Sequence, residues 1–189
     1  MRIITGKAKG KKIISPDGYD VTRPTLDRVK QSIFNILQSY LTTDSVVLDL
    51  FSGTGSLGLE ACSRGAKRTY LCDRDDKVFS YLKKNVENLG FQNDAFVFKG
   101  EFEENLKRFK GKEKFDLIFV DPPYNSDYVE RSINLIDDLR ILKRDGRIVT
   151  KISTLESKFI ESQNIILIDY RKYGNTTVCF YKYKESFDE

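Results

Sequence analysis

From Ser45 onward the chain alternates short apolar runs with stretches of helical period, and that alternation limits the fold more than any other feature. Val46 to Leu50 reads as a strand, Ser56 to Arg64 as a helix and Arg68 to Cys72 as a second strand. The following stretch sets Val78, Leu82, Val86 and Leu89 on one helical face. A strand at Ala95 to Phe98, a helix at Phe102 to Phe109 and a strand at Phe115 to Val120 come next. A helix from Tyr128 to Leu142, a turn at Asp145-Gly146, a strand from Arg147 to Ile152 and a short helix near Leu155 continue the series. Ile165 to Tyr170 and Thr176 to Tyr183 are two strands joined tightly through Tyr173-Gly174-Asn175. Repeated β-α units require a mostly parallel, doubly wound α/β sheet with right-handed crossovers. The closing hairpin makes the last of seven strands antiparallel to its neighbour.

Residues 1–44 have a different character and form an extension ahead of a main domain at 45–189. Ile3 to Thr5 and Ile13 to Ser15 flank a Gly- and Lys-rich middle, the pattern of a β-hairpin. Thr25 then suits a helix N-cap, and Leu26, Val29, Ile33, Ile36 and Tyr40 recur at helical spacing, with Arg23, Arg28 and Lys30 outside that face. Residues 1–30 hold eight Lys/Arg against three acids, a surplus of +5 on a chain whose total is +4. A basic arm on a near-neutral body suits a polyanion such as nucleic acid, although lysines also protect exposed strand edges. Three cysteines without metal-like spacing read as reduced, buried thiols of a cytoplasmic protein, and no apolar run reaches membrane-spanning length. The chain has no histidine, which excludes His-dependent triads, zinc–histidine sites and the commonest general base.

Two stretches carry chemistry. The strand ending at Val120 runs into Asp121-Pro122-Pro123-Tyr124, where two proline rings stiffen the backbone and remove its N–H groups. A carboxylate, a free carbonyl and an aromatic ring thus stand at a strand's carboxyl end, where open α/β sheets bind ligands. A stiff turn with a surface Asp fits those four residues alone equally well. In VLDLFSGTGSLGLEA, Gly53, Gly55 and Gly58 match G-x-G-x-x-G between a strand and a helix, with Asp73 at the end of the next strand. Asp49 beside that loop is a poor neighbour for a dinucleotide's diphosphate. It suits a ligand bearing an ammonium or sulfonium, such as S-adenosylmethionine, whose ribose hydroxyls Asp73 can accept. Helix capping is the plainer reading of either acid taken singly.

Together, D-x-F-x-G-x-G, an acid after the second strand and D-P-P-Y after the fourth resemble class I S-adenosylmethionine-dependent methyltransferases that modify exocyclic amines. RPTLDRVKQSIFNIL, DLFSGTGSLGLEA, FVDPPY and YGNTTVCFYKY resemble, more narrowly, the bacterial 16S rRNA guanine-N2 methyltransferases, over Arg2 to about Lys184. The resemblance implies a Rossmann-like fold with Asp49, Phe51, Gly53 and Gly55 around the methionine portion of the cofactor. It implies Asp73 on the ribose, Glu101 and Phe102 near the adenine, and Asp121, Pro122 and Tyr124 as the catalytic corner. No metal is implied. Arg2, Lys9, Lys11, Lys12, Arg23 and Arg28 are the candidate contacts to small-subunit rRNA, either free or in an assembling 30S particle, for a protein acting as a monomer. Lys151 departs from the pattern, standing after the fifth strand where an acid is expected. DNA adenine-N6 or cytosine-N4 methylation uses the same corner, but only some 44 residues precede the first main strand, little room for a DNA-reading domain.

Overall fold

Val46 and Leu48 are buried toward one face of the first strand and Val47 toward the other, so both faces of the sheet are covered. The computed structural model describes residues 1–17, 24–157, 160 and 162–186, with backbone only at 24 and 25. Seven strands form one sheet: β1 (Val46–Asp49), β2 (Arg68–Asp73), β3 (Ala95–Lys99), β4 (Phe115–Val120), β5 (Leu142–Ser153), β6 (Ile165–Tyr173) and β7 (Thr176–Tyr183). Their order is β3-β2-β1-β4-β5-β7-β6; β1 to β5 run parallel, and β7 lies antiparallel to both β5 and β6. The helices are α1 (Pro24–Ile36), α2 (Ser56–Ser63), α3 (Asp76–Leu89), α4 (Phe102–Phe109) and α5 (Tyr128–Leu139). The expected doubly wound architecture is present. Its strand order reverses between β1 and β4, which opens a crevice at their carboxyl ends.

Helices α4 and α5 cover one face through Phe102, Leu106, Phe109, Val129, Ile133 and Ile136. On the other, α1 and α2 pack Val29, Ile33, Phe34, Leu57 and Ala61, with Leu37 just past α1, against Val47, Leu117, Phe119 and Val149. A third cluster joins Ile3, Ala8 and Ile13 of the arm to Leu59 and Cys62 of α2 and to Leu82, Val86 and Leu89 of α3. Burying side chains of this size stabilises by about 1.5–3 kcal/mol each before the entropy cost of ordering the chain. The arm is therefore held against the body by its own apolar residues.

Several local expectations are corrected. The arm's hairpin is reduced to one antiparallel bridge, Arg2 to Lys12, around a series of turns. Helix α1 begins at Pro24, which puts Thr25 inside the first turn instead of at the cap. Its buried face includes Phe34, and the 3-10 turn that follows it (Leu37–Ser39) buries Leu37, whereas Tyr40 is exposed beneath the Arg147 guanidinium, 4.3 Å from the ring centroid. Lys30, expected outside, is buried. Its Nζ donates to the Arg2 carbonyl at 2.7 Å and lies 3.4 Å from Glu60, which is itself fully buried. Burial lowers the Lys30 pKa, with the Glu60 charge and hydrogen bond opposing that shift. Glu60 also accepts from the Ile4 and Thr5 amides at 2.8 and 3.0 Å, so one carboxylate ties α1, α2 and the arm together. Strand β5 starts at Leu142 and takes in Asp145-Gly146 as a register shift opposite Phe115 and Leu117. Leu155 lies in a turn, not a helix.

Candidate active site

The glycine loop between β1 and α2 shows why each glycine stands where it does. At Gly58 a Cβ would come within 2.1 Å of Leu71 and 3.0 Å of the Asp49 Cβ, so only glycine lets α2 lie this close to the sheet. Gly53 takes φ +55°, and a Cβ there would meet nothing within 4 Å, because this part of the loop faces open space. The Gly53 amide donates to Asp73 Oδ2 at 2.9 Å, while Asp73 Oδ1 accepts from the Asp75 amide at 2.9 Å. Asp73 thus shapes the loop of the neighbouring strand.

Asp49 lies beneath the loop and is 1% exposed. Its Oδ2 accepts from the Gly58 amide at 2.8 Å, and among the described residues its buried Oδ1 has no partner. Burial pushes its pKa up to about 7; the Gly58 N–H opposes this, and the charges of Asp121 and Asp73 add to it. A buried carboxylate with an unmet oxygen, under an open glycine loop, fits a cationic ligand better than a diphosphate.

A cleft of about 430 Å³ opens above these strand ends, within the usual range for small-ligand sites. Phe51, Gly53, Asp73, Glu101, Phe102, Asp121 and Pro122 all line it, so seven residues singled out from the sequence share one surface. Four carboxylates line the cleft (Asp73, Asp75, Glu101 and Asp121) against one guanidinium, Arg74. Its wall is aromatic: Phe51 stacks on Tyr128 at 5.9 Å and 8°, and Phe102 touches both rings. Glu101 is at the rim, 3.5 Å from Arg74. Asp49 and Gly55 do not line the cleft; Gly55 instead makes the left-handed turn into α2. Sequence reasoning missed Tyr128 and Arg74. An aromatic opening the helix seven residues after Asp121 was the available signal for Tyr128. Nothing marked Arg74 apart from its place beside Asp73.

At the corner, Pro122 is buried, and among the described residues no hydrogen bond reaches its carbonyl. Tyr124 is 48% exposed, with its hydroxyl 2.9 Å from Thr176 Oγ1 on β7. The ring is available for stacking and is anchored at its tip. Asp121 Oδ2 accepts from Lys151 Nζ at 2.9 Å. The lysine that departs from the resemblance is therefore in direct contact with the corner. A second cavity, about 360 Å³, shares Phe51, Gly53, Asp73 and Asp121 with the first and is walled by Met1, Ser15 and α1.

The basic residues are spread out. Lys9, Lys11 and Lys12 are exposed on the arm and Arg28 is exposed on α1. Arg2 is exposed too, 3.4 Å from Asp27. Arg23 lies outside the described residues.

The family model described as conserved hypothetical protein 95 matches residues 1–182. A Haemophilus influenzae relative named ribosomal RNA small subunit methyltransferase D is 33% identical over 185 residues, covering 93% of this chain and 94% of its own length. Its Escherichia coli namesake is 37% identical over 140 residues, 73% of this chain and 67% of that one. Among solved structures, "Putative methyltransferase yhhF from Escherichia coli" superposes with a TM-score of 0.85 at 32% identity, over 97% of this chain and 98% of its own.

Proposed function

Because this chain belongs to the family described as conserved hypothetical protein 95 and is similar to small-subunit rRNA methyltransferases, we propose that it methylates the exocyclic N2 amine of a guanine in 16S rRNA. The fold is that of a Rossmann-like class I methyltransferase. One observation carries the reading. The Asp121–Pro122 acceptor pair opens onto the same acidic, aromatic-walled cleft as the glycine loop, Asp73 and Glu101.

The methyl donor of this proposal is S-adenosylmethionine, which supplies an electrophilic methyl on a sulfonium. Phe51 and Gly53 would border its methionine portion, Asp73 would accept from its ribose, and Glu101 with Phe102 would flank the adenine. Asp49 acts from beneath, through its charge and its hold on Gly58.

The substrate amine is a weak nucleophile because its lone pair is delocalised into the ring. Asp121 and the Pro122 carbonyl accept its two N–H groups, which favours a pyramidal nitrogen and frees the lone pair. Tyr124 stacks on the base, which must be unpaired to enter. Orientation and preorganised acceptors then supply the rate without a histidine. The exposed lysines of the arm, with Arg2 and Arg28, meet the RNA backbone.

Nucleoside mass spectrometry of rRNA and DNA from cells lacking the gene tests the reading. N2-methylguanosine should fall in 16S rRNA alone, and should return with the parent gene but not with Asp121→Ala. A methylated base missing from DNA instead, or full restoration by Asp121→Ala, would overturn it.

A further inference from the structure

Lys151 reaches the catalytic corner because of strand register. Val120 of β4 pairs with Thr150 of β5, so the residues that follow each of them stand side by side at the carboxyl edge. On its other side Lys151 pairs with Val178 of β7, a core residue that holds the lysine's backbone in place. Its ammonium donates to Asp121 Oδ2 at 2.9 Å, with 18% of the lysine side chain and 28% of the aspartate side chain exposed. Burial alone would lower the lysine's pKa. The charge and hydrogen bond of Asp121, followed by Tyr124 and Asp49, outweigh that and raise it, so the group stays an ammonium. Among the described residues Asp121 Oδ1 has no partner.

We infer that Lys151 is a positioning residue for methyl transfer: it occupies one oxygen of Asp121 and so fixes the other as the acceptor for the substrate amine. The inference rests on the reading of Asp121 as that acceptor. A carboxylate's terminal torsion is broad and two-fold, so an unheld Asp121 would present either oxygen over a range of angles. The Pro122 carbonyl is already rigid, since its ring and that of Pro123 restrict the backbone. A lysine bond to Oδ2 gives the second acceptor the same fixity, and the pair then meets both amine hydrogens in one geometry. The ammonium also balances the aspartate charge locally, which leaves Asp121 to act as a directed acceptor. Lys151 touches neither the base nor the methyl group in this scheme; its effect passes through Asp121.

A double-mutant cycle on the full chain tests the inference, with subunits purified from cells lacking the gene as the methyl acceptor. Lys151→Met keeps the length and apolar stem while removing the charge and donor, and Lys151→Arg keeps both. Lys151→Met should lower kcat about 10- to 100-fold, the usual scale for a misdirected catalytic group. KM for the subunits and calorimetric affinity for S-adenosylmethionine should stay within about threefold, so that the loss falls on the chemical step. Lys151→Arg should recover a substantial part of kcat. Asp121→Asn combined with Lys151→Met should be no slower than Asp121→Asn alone, because the lysine acts only through that carboxylate. Parent kcat in Lys151→Met, or losses that multiply in the double variant, would overturn the inference. Loss of folding or of cofactor binding in Lys151→Met would also overturn it, by placing the lysine in the scaffold. Parent kcat in Asp121→Asn would instead remove the functional reading itself, which keeps the two failures apart.

Discussion

Replacing Asp49 with Asn should remove the pH dependence that this one carboxyl imposes on stability. In the fold burial pushes its pKa up to about 7, against about 3.8 for the free group, with the charges of Asp121 and Asp73 adding to the shift. The sign follows from the order of ionisation. The unfolded chain releases this proton near 3.8 and the folded chain holds it until about 7, so rising pH favours unfolding across that window. Below about 3.8 neither state is charged and the penalty vanishes; above about 7 it is complete. At pH 8 the ionised form costs about 4 kcal/mol, and at pH 5 only about 1–2 kcal/mol. Asn is neutral throughout. Its carbonyl can still accept from Gly58, but its amide hydrogens would be unpaired, at about 1–3 kcal/mol. That second cost does not vary with pH. Between pH 5 and pH 8 the stability difference should therefore shift by about 3 kcal/mol toward the variant, whatever its offset. Urea denaturation at four pH values measures the shift. A difference that stays constant over this range would refute the argument that Asp49 is buried with an unmet charge. The proposed cofactor's cation would favour the ionised carboxylate. Calorimetry in buffers of different ionisation enthalpy should accordingly show proton release when S-adenosylmethionine binds the parent near pH 6, and none from this position in Asp49→Asn.

Gly58→Ala should lower stability even though alanine is the better helix former. The new Cβ would lie 2.1 Å from Leu71, and overpacking of about 1–3 kcal/mol outweighs a helix gain of about 1 kcal/mol; a net rise in the urea midpoint would count against the close approach of α2. Thr176→Val removes the 2.9 Å partner of the Tyr124 hydroxyl. Steady-state kinetics should show kcat/KM for the RNA substrate lower by about 2- to 10-fold, the scale of one hydrogen bond, with cofactor affinity unchanged. Changing Lys9, Lys11 and Lys12 together to Ala should flatten the slope of log affinity against log salt by about 2 in a filter-binding assay on the RNA. An unchanged slope would return the arm to a structural role.

What the sequence disclosed, and what it withheld, divides along one physical line. Strand β4, helix α4 and strand β7 have the boundaries expected, because a run buried on both faces, or an apolar stripe at helical spacing, is a local signal. Lys30 could not be placed that way. It looks like any surface cation until Glu60, thirty residues on, is brought within 3.4 Å by tertiary packing. Lys151 is the same case at the site. The sequence displays each strand end singly, and sheet order decides which ends become neighbours. Order β2-β1-β4-β5 sets Asp73, Asp49 and Lys151 on β2, β1 and β5, with Asp121 directly after β4 between the last two. With all of them ionised, three carboxylates face one ammonium. That row is two positive charges short of neutrality, and the unpaired Asp49 oxygen marks where the shortage is felt most. Neutralising Asp49 by protonation is the resting answer, consistent with its raised pKa. The proposed methyl donor, whose sulfonium and ammonium outweigh its single carboxylate, would supply part of that charge and let the same carboxyl ionise. In the proposed reaction the acid row would favour the positive charge of the methyl donor, while Lys151 would keep Asp121 apart from that task and free to face the amine.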